Sequence, residues 1–189
     1  MEGFYRAIIE HPGYIAGRSY ALHESSGQSL APAAIDTIYF GLIVIRRALT
    51  FNGGTMWVVT GGAGSSVKTG IWANSTVSNR PLGAPLFKDD TGVATTGSGT
   101  GVALALGSGT LLPGFYWIGT KTTGTPPAVV SFPAYHQAVG YYTGLVSGTP
   151  NTHTIRYADT YSNNMPTLAE GASFTNHGAG APMFSLTSA

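Results

Sequence analysis

The sequence predicts an all-β protein, an antiparallel β-sandwich of jelly-roll type with an extended N-terminal arm. Apolar runs of strand length, rich in β-branched and aromatic residues, recur along most of the chain. The 27 Gly and 11 Pro are spread between those runs instead of collecting in one tail, and no stretch sustains a helical period. A length of 189 residues suits one domain with a real core and would leave two cramped.

Residues 1–36 are expected to be arm or lead-in. "FYRAII" suits a short strand, while "HPGYIAG" and "ESSGQSLAPAA" suit loop. Such a segment needs something to lie against, either a partner or its own domain. Residues 37–189 are expected to form the single sandwich domain. Its first strand is "TIYFGLIVIRR", ending in Arg46-Arg47. An Asn52-Gly53-Gly54 turn then leads into "TMWVVT", and the "GGAGSS" loop into "SVKTGIWAN". Residues 75–86, "STVSNRPLGAPL", are broken by Pro and Gly and predict a connection. Asp89-Asp90 predicts a turn before Thr91-Gly92, and "TGVATTGSGTG" predicts an extended hairpin or flexible edge. Four strands follow in "GVALAL", "LLPGFYWIGT", "AVVSF" and "APMFSLTS". Between the last two, residues 133–170 predict a long loop excursion carrying Tyr135, Tyr141, Tyr142, Tyr157 and Tyr161.

Charge narrows the function classes. Only 9% of residues are charged, against about 25% in ordinary globular proteins. A surface so thinly charged repels its neighbours weakly and suits life inside an assembly. A net charge of +1 with scattered Lys and Arg gives no footprint for nucleic acid. The longest apolar stretch, around "IYFGLIVI", is too short to span a bilayer. The N-terminus has no secretory pattern, so a soluble protein made in the cytoplasm is expected, with no membrane partner. With no cysteine, neither disulfides nor thiolate metal sites arise.

The catalytic motifs fail in turn. "GGAGSSVKTG" places Val67, not Gly, before Lys68-Thr69, so the backbone cannot close on a phosphate there. "GSGTG" lacks the third glycine and the helix of a dinucleotide site. The five histidines, His11, His23, His136, His153 and His177, lie far apart, without metal-ligand spacing. Neighbouring Asp89 and Asp90 point to opposite faces of a strand and are poorly placed to share a metal or to serve one substrate as acid and base. No nucleophile elbow occurs. Asn74-Ser75-Thr76 matches a glycosylation acceptor but has no secretory route. No catalytic residue, metal or cofactor is expected. Trp57, Trp72 and Trp117 fall in three predicted strands and are expected in the core, with a sugar-stacking platform as the alternative.

"SSVKTGIWANSTVSNRPLGAPLFKDDTG" followed by "GTLLPGFYWIGT" resembles a domain recurrent in virion proteins of tailed bacteriophages. The matching positions are Val67, Lys68, Gly70, Ile71, Trp72 and Ala73, residues 81–87, then Leu112, Pro113, Gly114, Tyr116 and Trp117. "AGRSYALHESSGQSLAPAAIDTIYFGLIVIRRALT" is similar to that family's lead-in and "GAPMFSLTS" to its closing strand, so the likeness spans roughly residues 16–188. It implies a jelly roll, a homotrimer, and a place at a tail-fibre tip or in a small projecting structural protein. Lacking a shaft, the chain is expected to be a head decoration or short head fibre at the virion surface. Its partners would be itself and the capsid or tail proteins.

Alternation sends Phe115 and Trp117 to one side of their strand and Tyr116 and Ile118 to the other. If one side fills the space between sheets, a loop or a neighbouring subunit must cover the other. A neighbour is expected, which makes Tyr116 and Ile118 the candidate oligomer interface. The rival expectation is a receptor-binding, tail-fibre-type module that grips a host cell-surface glycan through Tyr141, Tyr142, Tyr157 and Tyr161.

Overall fold

The computed structural model describes residues 13–21, 29–30, 34–131, 154–177 and 180–189. Among these no helix occurs. The strands are β1 (Ser19–Ala21), β2 (Ser29–Leu30), β3 (Thr37–Ile45), β4 (Leu49–Thr60), β5 (Ser66–Asn74), β6 (Pro81–Ala94), β7 (Thr100–Leu104), β8 (Gly109–Leu111), β9 (Gly114–Thr123), β10 (Ala128–Val130), β11 (Thr154–Ala158), β12 (Thr175–Asn176) and β13 (Phe184–Ser188). They form two antiparallel sheets packed together, the β-sandwich the composition calls for. One runs β1-β13-β4-β10-β2, with β7 and β8 also paired to β4; the other runs β12-β11-β3-β9-β5-β6.

Three expected boundaries are corrected. Asn52-Gly53-Gly54 makes no turn, because β4 passes straight through it. Gly54 is paired with Leu186 on one side and Leu104 on the other, so a turn would forfeit ladder bonds on both edges. The connection after β5 closes within residues 75–80, where the Ser75 hydroxyl accepts the Val77 and Ser78 amides, each at 3.0 Å. Pro81 and Pro85 then lie in β6, an edge strand whose outer side, among the described residues, carries no named strand and pairs through the isolated Gly83–Leu168 bridge. Asp89 likewise sits within β6. Its buried carboxylate accepts the amides of Thr91, Gly92 and Ala105 at 3.1, 3.2 and 2.9 Å, fixing a bulge rather than a chain reversal.

Segments of the expected arm join the first sheet, β1 beside β13 and β2 beside β10. Of the expected excursion, Thr154–Ala158 is a strand paired to β3, and residues 159–170 fold back over the second sheet.

Two apolar layers result. Between the sheets lie Ile43, Ile45, Leu49, Phe51, Met56, Ile71, Ile118 and Leu186. On the outer side of the second sheet, Ile38, Phe40, Leu42, Trp72, Trp117 and Ile155 are roofed by Met165 and Leu168 of the excursion and by Phe174 just beyond it. The paired glycines Gly70 and Gly119 make room for the ring of Trp72. A β-carbon on Gly119 would lie 2.7 Å from both Trp72 and Phe40. Each fully buried Trp contributes about 2–3 kcal/mol.

Candidate docking face

The β9 strand places its large side chains in those two layers. Ile118 is 0% exposed, inside the sandwich, and Tyr116 is half-buried against the same core with its hydroxyl donating to the Leu112 carbonyl at 2.9 Å. Phe115 and Trp117 face the roof, where the Trp117 indole N–H donates to Asn74 Oδ1 at 2.7 Å. The expected neighbour over β9 is therefore corrected for Ile118, while Tyr116 keeps part of its ring exposed. The chain's own excursion covers the Trp117 side and its own first sheet covers the Ile118 side, so Ile118 has no surface left to offer a partner.

The roof is tied down by polar contacts. Lys121 donates to Asp159 and to the carbonyls of Thr160 and Asn163. Lys68 donates to the carbonyls of Tyr161 and Asn163. The Trp72 indole N–H donates to the Pro166 carbonyl at 3.2 Å. Asp90 accepts the Met165 amide and pairs with Lys88. Partial burial opposes its charge, but these two donors prevail and hold its carboxyl below the usual range.

The tyrosines expected to bind a glycan are placed as follows. Tyr157 packs into the roof layer beside Phe174, ring centres 5.6 Å apart. Tyr161 lies under Lys68, whose ammonium is 4.9 Å from the ring centre. Burial, ahead of Asp89 nearby, raises its hydroxyl pKa. Both rings are thus engaged within the fold. Tyr141 and Tyr142 lie outside the described residues.

Among the described residues a different surface stands open. No strand of the first sheet carries Asp, Glu, Lys, Arg or His. Its outward positions include Ser19 on β1, Ser185 and Thr187 on β13, Thr50, Asn52, Gly53, Thr55, Trp57 and Val59 on β4, Gly101 and Ala103 on β7, and Thr110 on β8. Trp57 is 50% exposed there, whereas Trp72 and Trp117 are fully buried, so the expectation of a core role fails for Trp57 alone. Met56 and Val58 on either side of it point inward, and alternation forces the indole out. Gly101 stands directly opposite, and the ring leans across it: a β-carbon at Gly101 would lie 3.6 Å from Trp57 Cε3.

No protein-family model matches the chain, and no curated protein matches it. The hydroxyls of this face are largely paired with each other or with backbone. Ser19 and Thr187 lie 3.0 Å apart, Thr50 and Thr110 3.0 Å, and Ser185 donates to the Thr55 carbonyl at 3.2 Å. Among the described residues no group of three His, Asp or Glu is close enough to hold a metal ion, and no helix is long and apolar enough to cross a membrane.

Sequence reasoning missed this face because Met56, Trp57, Val58 and Val59 are apolar on both sides of the strand. The available signal was charge counted strand by strand.

Proposed function

We propose that this chain is a non-enzymatic structural protein of a tailed-phage virion, a surface-projecting, oligomeric, jelly-roll-type sandwich serving as head decoration or short head fibre. The observation that carries the reading is the segregation of charge. One whole sheet is uncharged, while Lys68, Lys88, Asp89, Asp90 and Lys121 all sit in the other, most of them fastening the chain to itself. A protein that works as a freely diffusing monomer has little use for an uncharged sheet face with a half-exposed indole; an assembled one does. The phage-virion assignment adds the motif likeness in β5, β6 and β9.

The glycan-binding alternative has less support, since Tyr157 and Tyr161 are occupied within the fold. The test is quantitative mass spectrometry of purified virions. The chain should occur in fixed stoichiometry with the capsid protein. A dozen or so copies per particle would move it to the tail, and none would end the reading.

A further inference from the structure

We infer that the outer face of the uncharged sheet, centred on Trp57, docks a second copy of this same chain. This rests on the structural-protein reading and names the partner of its candidate face.

Size is the first argument. β4 has twelve residues, and four strands lie abreast from β1 through β13 and β4 to β7 and β8. The flanking strands are shorter, with 3 residues in β1, 5 in β13, 5 in β7 and 3 in β8, so at about 3.3 Å per residue and about 4.8 Å per strand these strands cover on the order of 450 Å², a little over half of the roughly 800 Å² each partner contributes to a standard interface.

Relief is the second. Gly53, Gly101, Ala103, Ser185 and the threonines keep the face low, and Trp57 rests against Gly101 instead of standing off the sheet. A flat sheet of small side chains can approach another at about the 10 Å spacing of stacked sheets. One large indole in such a face is the anchor that interfaces concentrate their affinity in.

Chemistry chooses the occupant. A partner carrying charge would lose hydration against this face and gain nothing in return. A sugar would need planar polar side chains, carboxylate or amide, aimed beside the ring. Here the one exposed amide of β4, Asn52, lies five positions along the strand from Trp57; the groups nearer the ring are hydroxyls, and Ser19, Thr187, Thr50, Thr110 and Ser185 are already engaged. Satisfied hydroxyls can be buried without leaving orphans, which suits contact with an equally uncharged face. The same face on a second copy of this chain meets these terms.

The experiment is sedimentation equilibrium of the full chain across protein concentration, with acrylamide quenching of tryptophan fluorescence alongside. Trp72 and Trp117 are buried, so the quenchable signal reports Trp57. The wild type should self-associate, and its quenchable fraction should fall as concentration rises. Trp57→Glu should weaken association about a hundredfold or more, with unchanged far-UV circular dichroism. Thr55→Lys, at a second point of the face, should also weaken it. A wild type that stays monomeric at every concentration, or unaltered association in both variants, overturns the inference. So does a Trp57 shielded in the monomer, which would mean its own chain covers it. Shielding by neutral oligosaccharide, independent of protein concentration, would make the face a sugar platform and overturn it too. The two levels fail separately. A protein absent from virions that still associates through Trp57 loses the virion role and keeps the interface, and a monomeric one abundant in virions does the reverse.

Discussion

Lys68 and Lys121 stand directly opposite one another on adjacent antiparallel strands, 7% and 0% exposed, and both ammonium groups donate to the carbonyl of Asn163. Like charges in that position repel. Here the repulsion is offset by a turn of the excursion that aims the carbonyls of residues 160, 161 and 163, with the Asp159 carboxylate, down at them. Two cations in the sheet thus fasten the roof over Trp72 and Trp117.

The pair should be unequal. Lys121→Met strands a largely buried Asp159, so a loss of about 3–5 kcal/mol is expected. Lys68→Met leaves only carbonyls short of a donor, for about 1–3 kcal/mol. Urea midpoints measure both. The double variant should depart from the sum by more than about 0.5 kcal/mol, since the two share an acceptor; strict additivity would deny the coupling.

Gly119→Ala should destabilise by about 1–3 kcal/mol, because the added methyl meets the rings of Phe40 and Trp72 together. Gly53→Ala, where nothing lies within 4 Å, is the control and should cost far less. Equal thermal midpoints for the two would contradict the packing described.

Thr120 and Thr69 face each other in the sandwich interior, buried, and neither hydroxyl has a hydrogen-bond partner among the described residues. Replacing such a group by a methyl of the same shape removes a desolvation penalty. Thr120→Val should leave stability unchanged or raise it by about 1 kcal/mol. A clear drop in the melting temperature would reveal a bond to that hydroxyl.

His177 is buried against Tyr39, ring centres 4.8 Å apart. Burial first, and then Arg156, lowers its pKa. The folded protein therefore favours neutral imidazole, while the unfolded chain takes up a proton near pH ~6.5. Stability linked to His177 is complete above that value and is lost as pH falls below it toward the folded pKa. Chemical denaturation at pH 7 and pH 5 should show this decline, and His177→Gln should flatten it. An unchanged slope would place the titration elsewhere.

Local chemistry in the sequence determined the class of the fold and several strands. β5 matches the run "SVKTGIWAN" residue for residue, because a dense run of β-branched and aromatic residues between turn formers has few other ways to bury itself. The alternation in β9 was legible too, down to which side chains share a side. What covers each side was not. Alternation groups residues by face, but cover comes from chain far away in sequence, such as Met165 and Phe174 over Trp117.

Long-range pairing likewise carried β4 straight through two glycines, turned Trp57 outward, and set Lys68 and Lys121 beneath carbonyls more than thirty residues further on. The physical reason is common to all of these. A ladder bond or a buried contact draws its energy from two distant segments at once, and neither segment alone records which partner it will meet.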